Sequence, residues 1–407
     1  MNPTIIRGRL LHNDVIDEDG VILVENSVIR DLGDSADVVR RHEELAESIA
    51  AAEVLDATLV PGLVDVHCHG GGGESFPNAE TVEQAMVAIM EHRRYGTTSL
   101  VASCVTADPE VLRQRGRLLG ALASDGELVG VHFEGPFVSH ERKGAQDGAY
   151  IIPPDPQLTR ELMEATAGMT VSMTVAPEKE GAYGSGSVAE VLIEGGALPS
   201  WGHTDADPLA AREALEFSRQ CLEETGEERR RSGHVTVTHL FNGMRPLHHR
   251  DPGPIMEFLA DAANGGAIVE LICDGIHVDP ALVRSVVDAL GRDGCVLITD
   301  AMAAAGMPDG EYQLGPQAVT VAGGVARLSG QEAIAGGTAH LVDCVRIAVT
   351  AAGIPLADAV YMASAQGAKI VGREDIGVLK EGARADILAL DRDLRPISVW
   401  RAGKLVK

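Results

Sequence analysis

The chain has 407 residues, 45% hydrophobic and 23% charged, enough apolar material for a large core and more than one average domain. A formal net charge of −26 argues against nonspecific binding to nucleic acid or an anionic membrane, so an anionic ligand would need a local cluster of cations. No apolar run of about 18 residues could span a membrane. MNPTIIRGRLLHND lacks the unbroken apolar stretch of a signal peptide, and six scattered cysteines without Cys-x-x-Cys read as free thiols of a cytoplasmic protein.

In chain order, residues 3–34 carry short β-like runs (TIIRGRLLH, GVILVEN, SVIRDLG), and 35–52 read as an exposed helical insertion. From about residue 58 to residue 300, strand and helix signals alternate. The strand segments are LVPGLVDVH (59–67), TTSLVASC (97–104), LVGVHFEG (128–135), MTVSMTVAPE (169–178), ALPSWGHT (197–204), VTVTHLF (235–241), AIVELICDGIH (267–277) and CVLITDAM (295–302). Between the first two, Val82, Met86, Ile89 and Met90 recur at helical spacing. Asp279-Pro280 followed by ALVRSVVDALG gives an N-cap, a first-turn proline, an amphipathic run and a glycine stop. Eight alternating units predict an α/β fold, a (β/α)8 TIM-like barrel. Residues 311–334 read as a β-hairpin insertion, and ADILALD and PISVWRAGKLV return to β character. Two β-rich ends too small to fold alone are expected to join as a small β-sandwich domain. The division is 1–57 (small domain, first part), 58–385 (barrel) and 386–407 (small domain, second part).

Polar residues fall at the strand ends. The first strand ends in His67 and His69, with Cys68 between them facing the other way if the segment stays extended, and then Gly70 to Gly73. The third ends with His132 and Glu134, the fifth with His203, the sixth with His239, the seventh with Asp274 and His277, and the eighth with Asp300. The C-terminal strand ends of such a barrel meet on one face, so these residues converge. Asp205 and Asp279 read instead as helix N-caps, and His42 and His92 as surface residues. Imidazole and carboxylate without thiolate suit Zn2+ or a similar divalent first-row ion with an open position for water. Water at such an ion is a nucleophile near neutral pH, and Asp300 can take its proton and pass it to a leaving group. The predicted chemistry is metal-assisted hydrolysis.

On PGLVDVHCHG, HFEGPF, ERKGAQ, GHTDA, THLFNGMRPLHHRDPG, DGIH, TDAMAAAG and IAGGTAHL, the chain resembles the amidohydrolase superfamily. Within it, the chain is similar to the N-acetylglucosamine-6-phosphate deacetylases over nearly its whole length. The resemblance implies removal of acetate from N-acetylglucosamine 6-phosphate in amino-sugar catabolism. It makes Glu134, His203 and His239 the principal metal ligands and Asp300 the general acid/base. His67 and His69 would complete a second metal position, so one or two ions per subunit are expected. Ala145, Gln146, Asn242, Gly243, Arg250, the Asp274 to His277 segment, Ile334, Ala335 and Gly336 would contact the sugar phosphate. Arg250 would reach the neighbouring subunit's site, which implies a homodimer. Arg142, Lys143, Arg245, His248, His249, Arg250 and His277 supply cations within the acidic chain.

Two positions depart from the family pattern. Gln146 stands where Gly-Ala-His is usual, keeping a donor but losing a titratable ring. Gly243 replaces the alanine of an Asn-Ala pair, a change expected to be mild because a backbone N–H serves either way. Competing readings are an N-acetylgalactosamine-6-phosphate deacetylase, another amidohydrolase acting on an acyl-amino substrate, and an inactive barrel scaffold. Enzymes of the dihydroorotase kind usually bridge two metals with a carboxylated lysine at the fourth strand. Here that strand ends TVAPEKEG, and Glu134 is the better bridging carboxylate.

Overall fold

Residues 3–407 are described by the structure, a computed structural model. Eight strands form one all-parallel sheet in consecutive order: β1 (Leu63–Cys68), β2 (Thr97–Val105), β3 (Gly130–Phe137), β4 (Thr170–Val175), β5 (Leu198–Trp201), β6 (Val235–Val237), β7 (Ala267–Ile272) and β8 (Cys295–Ile298). Every strand residue is buried, which is why these segments read as continuous apolar runs rather than alternating ones. The ring closes just beyond β8. His69 N–H donates to Ala301 O at 2.7 Å, Asp300 N–H donates to His67 O at 2.9 Å, and Cys68 bridges to Ala301 in parallel. Closure therefore brings the histidine pair and Asp300 against each other.

Four of the helices between the strands start the same way. Pro109–Ser124, Pro156–Ala165, Pro208–Thr225 and Pro280–Leu290 each follow an aspartate whose side chain accepts a first-turn N–H, and each has proline at its start. Proline has no N–H to leave unpaired there, and the carboxylate satisfies a donor that the helix cannot. Asp279 caps as expected. Asp205 does not: the cap of its helix is Asp207, and Asp205 accepts instead from Arg142 Nε at 2.6 Å. Val82–Arg94 follows a Thr81/Gln84 capping box and buries Ala85, Ala88, Ile89 and His92. His92 is thus fully buried rather than a surface residue, with Nε2 2.8 Å from Gly70 O and 3.3 Å from Cys68 Sγ.

The chain ends form one hydrogen-bonded sheet of seven strands. Thr4–His12 pairs antiparallel with Val15–Glu25 and parallel with Val54–Pro61; Ile387–Leu390 then pairs antiparallel with Val54–Pro61. Helical residues 35–51 cover one side through Val38, Leu45 and Ile49, packed on Val21 and Leu23. Only Gly62 separates Val54–Pro61 from β1, and a Cβ there would stand 2.3 Å from Thr98 Oγ1. The small sheet therefore feeds straight into the strand that carries His67 and His69.

The insertion after β8 has one strand more than a hairpin. Gly310–Leu314, Gln317–Ala322 and Val325–Leu328 form an antiparallel meander because both Gly315-Pro316 and Gly323-Gly324 turn the chain. Its Leu314, Val319, Val321, Ala326 and Leu328 pack with Met302, Ala303, Ala304 and Ala335. That packing lays the segment 334–337 beside Asp300, where Gly337 N–H donates to Asp300 O at 2.6 Å.

Candidate metal and active site

Six of the strand-end residues meet at one place, whereas His132 bonds Ser103 and Thr174 and His277 bonds Asp274. Glu134, on β3, stands at the centre. Its Oε1 lies 2.8 Å from His203 Nε2 and 2.9 Å from His239 Nε2. Its Oε2 lies 3.2 Å from His69 Nε2. Asp300 Oδ1 is 3.1 Å from His69 Nε2 and 3.5 Å from His67 Nε2. Within each histidine pair, His67/His69 and His203/His239, the Nε2 atoms approach to 3.2 Å. All six side chains are buried.

For three of the four imidazoles the other face fixes the proton position, while His239 Nδ1 has no hydrogen-bond partner among the described residues. His67 Nδ1 is 2.9 Å from Glu270 Oε2, His69 Nδ1 is 3.2 Å from Ser103 O, and His203 Nδ1 is 2.8 Å from Arg142 O. Carboxylates and carbonyls only accept, so each Nδ1 carries the proton and the neutral ring offers a lone pair at Nε2. Those lone pairs point at one another and at carboxylate oxygens. Positive charge relieves that repulsion, either protons held on the imidazoles or a cation among them. The charge balance agrees. Burial disfavours charge on His69, yet Asp300 and Glu134 hold its pKa up at about 10. Burial likewise opposes ionisation of Asp300, but the hydrogen bond from His69 and the nearby imidazoles bring its pKa down to about 2. The pocket is built for positive charge. His67/His69/Glu134 and Glu134/His203/His239 both have donor spacings that fit a metal ion, with Glu134 common to both.

A third cluster, Asp65/Cys68/His92, has similar spacing but different chemistry. Asp65 is occupied by Thr299 Oγ1 at 2.6 Å, and burial raises its pKa to about 7. Burial and the Asp65 charge push the Cys68 thiol well above its ordinary value, and its Sγ faces Gly70 O and His92 Nε2.

The expected sugar-phosphate residues divide by position. Asp274 and His277 form a dyad, Nδ1 to Oδ2 at 2.7 Å, and Asp274 Oδ1 also accepts from the Ile276 and His277 N–H groups. Burial opposes charge on His277, but that hydrogen bond raises its pKa. Asn242 and Gly243 follow β6, with Gly243 O accepting from Thr204 N–H at 2.9 Å. Gly336 is half-buried against Asp300 O, Ile334 and Ala145 are half-buried, and Ala335 is buried. Gln146 is turned inward onto Glu134 Oε2 at 2.5 Å. Arg250 is exposed, with Nη1 2.8 Å from His249 Nε2. Arg142 and Arg245 are paired with Asp205 and Asp251, whereas Arg250 has no carboxylate partner among the described residues.

Gly243 is not the mild change expected. Its φ is +57°, and a Cβ would stand 2.7 Å from His203 Nδ1 and 2.9 Å from Cε1. Glycine lets the loop after β6 lie against a ligand ring. Two buried carboxylates beside this cluster escape a reading of strand ends. Glu270, inside β7, accepts from His67 Nδ1 and from the His239 N–H at 3.1 Å. Asp65, inside β1, ties β1 to Thr299. Each was readable only as a lone carboxylate within a buried apolar run.

The amidohydrolase family model matches residues 58–406. The chain is 34% identical to mouse N-acetylglucosamine-6-phosphate deacetylase, covering 86% of this chain and 83% of the mouse protein. It is 32% identical to the deacetylase of that name from Bacillus subtilis, covering 95% and 96%. The structure superposes on that of the Mycobacterium smegmatis N-acetyl-D-glucosamine-6-phosphate deacetylase, a mutant in complex with N-acetyl-D-glucosamine 6-phosphate. The TM-score is 0.87 at 34% identity, with both chains fully covered.

Proposed function

We propose, from the premise that this chain belongs to the amidohydrolase family, that it removes the acetyl group from N-acetylglucosamine 6-phosphate, giving glucosamine 6-phosphate and acetate. The observation that carries the reading is Glu134 shared between two histidine pairs with Asp300 Oδ1 3.1 Å from one of them. His203, His239 and Glu134 would hold one divalent cation, and His67 and His69, with Glu134, a second; Zn2+ suits these donors. Such an ion supplies Lewis acidity, polarising a carbonyl and easing the ionisation of water.

The protein's own groups do the rest. Asp300 stays ionised beside the imidazoles, so its carboxylate can accept a proton from water and deliver it to the amine leaving the acyl carbon. Glu270, Ser103 O and Arg142 O orient the rings and hold their tautomers. The Asp274–His277 dyad and the 334–336 segment flank Asp300 and supply polar groups for the sugar. Arg250, exposed and without a carboxylate partner, is suited to a phosphate in the neighbouring subunit of a homodimer. A compartment with free thiols, the cytoplasm, suits all six buried cysteines.

Acetate release should be measured with N-acetylglucosamine 6-phosphate, its galacto epimer and unphosphorylated N-acetylglucosamine, alongside metal content. The gluco phosphate should turn over fastest. Asp300→Asn should keep its metal and lose about 10²–10⁴-fold in turnover. A metal-loaded protein that releases no acetate from either sugar phosphate would refute the reading, and preference for the galacto epimer would redirect it.

A further inference from the structure

We infer that Gln146 is a positioning residue that holds the Glu134 carboxylate open to both histidine pairs, rather than a contact to the sugar. The inference rests on the reading that a divalent cation lies among these groups. Gln146 is 3% exposed. Its Nε2 donates to Glu134 Oε2 at 2.5 Å, and its Oε1 accepts from the Thr106 N–H at 2.7 Å. A backbone N–H can only donate, so the amide oxygen must face Thr106 and the NH2 group must face Glu134; the orientation is not a choice.

Both ends of this link are anchored. Thr106 directly follows β2, and its Oγ1 donates to Glu134 O at 3.3 Å. The Gln146 backbone is held in a turn by Lys143, with Gln146 N–H on Lys143 O at 2.9 Å and Lys143 Nζ on Gln146 O at 3.3 Å. Two of the four hydrogen-bonding sites of the side chain are thereby used inside the protein, which leaves one N–H and one carbonyl lone pair for any substrate.

The geometry gives this link a specific task. Glu134 Oε1 is engaged by His203 and His239, whereas Oε2 faces only His69 and Gln146. The terminal carboxylate torsion is soft. Without Gln146, His69 is the only remaining direct contact of Oε2, and the carboxylate's orientation rests chiefly on Oε1 at His203 and His239. Gln146 thus acts on the position that shares Glu134 least firmly. As an amide it does so without a charge that would compete with a bound cation.

Metal-free protein prepared with a chelator should be titrated with Zn2+ against a chromophoric competitor, for the wild type, Gln146→Leu and Gln146→His. In Gln146→Leu the weaker binding step should lose about tenfold or more, the usual cost of removing a group that orients a metal ligand, while the tighter step holds. With the ion saturating, kcat should fall and KM should stay within about threefold. An imidazole can donate to Glu134 and accept from Thr106 in one neutral tautomer, so Gln146→His should restore most of the affinity. Should Gln146→Leu fail to fold, Gln146→Ser is read in the same titration. Unchanged Zn2+ affinity with a raised KM alone would overturn the inference and make Gln146 a substrate contact. A wild type that takes up no ion at all would instead defeat the reading beneath it.

Discussion

Glu270 is the sharpest test of how the ligand cage is held. Its Oε2 accepts a proton-bearing Nδ1 from His67 at 2.9 Å and the His239 N–H at 3.1 Å, so one buried oxygen steadies a ligand from each histidine pair. Glu270→Gln keeps the length and an acceptor but removes the charge. A hydrogen bond to a charged group contributes about 1.5–3 kcal/mol and a neutral one about 0.5–1.5 kcal/mol. The change should therefore cost about 1 kcal/mol or slightly more per bond. Summed over both bonds, that is roughly a 30- to 100-fold loss of metal affinity at about 1.4 kcal/mol per tenfold. The assay is Zn2+ titration of chelator-treated protein, with thermal melting of the metal-free variant to show that the fold survives. Activity should recover in part at saturating Zn2+. Affinity within threefold of wild type would refute the claim that Glu270 orients these imidazoles.

Three further outcomes follow from the geometry. Gly243→Ala puts a methyl group 2.7 Å from His203 Nδ1 in a left-handed backbone; metal affinity and turnover should fall together by about tenfold or more, and a fully active variant would mean that the loop yields freely. His239→Asn should reduce bound metal and activity together, whereas changing both His67 and His69 should lower stoichiometry but leave one ion; total loss of metal in the double variant would reverse the ranking of the two positions. Burial opposes charge on His340, but its hydrogen bonds to Asp343 and Glu91 raise its pKa above the ordinary 6.5, while Glu91 is lowered from 4.5 by its bond to His340. Stability from the raised histidine is complete below pH 6.5 and fades as pH climbs through the folded value; that from the depressed Glu91 is complete above pH 4.5 and fades in acid. The melting-temperature gap between wild type and His340→Gln should thus be widest near about pH 5.5 and narrow toward pH 9, and a flat gap would exclude the ion pair.

The barrel was legible because its strands are short, buried on both faces and separated by helices with strong start signals. The convergence of His67, His69, Glu134, His203, His239 and Asp300 was legible because each falls at or near the end of an apolar run. What stayed hidden has physical reasons. His92 looked exposed among Glu91, Arg93 and Arg94, yet it follows Ala85, Ala88 and Ile89 on the buried stripe of its helix. Asp205 resembled a cap, but Pro208 marks the first turn and makes Asp207 the cap. Glu270 and Asp65 lie within strands rather than at their ends, so position carried no hint of their work. A buried carboxylate in an apolar run costs free energy unless it is bonded, and that cost is the available signal.

A deeper reason lies in the backbone. His203, His239 and Asp300 have φ values of +47°, +26° and +47°, and Phe241, two residues past His239, has +80°. Such angles are uncommon for residues with a Cβ and strained for bulky ones. They occur here where β5, β6 and β8 have just ended. A strand that continued in extended form would keep alternating its side chains between the two faces. A left-handed residue immediately past the last ladder bond breaks that alternation and turns the chain, which is how three strands deliver side chains to one point around Glu134. The strain is offset by the bonds that hold each turn: His203 O accepts from Ser139 N–H at 2.8 Å, the His239 N–H donates to Glu270, and Asp300 is held on both sides by His67 O and Gly337 N–H. None of this has a residue-type signature, since histidine and aspartate at these positions are chosen for what they bind. The same residues that make the site therefore oppose the local backbone preference, and the closed barrel is what keeps them in place.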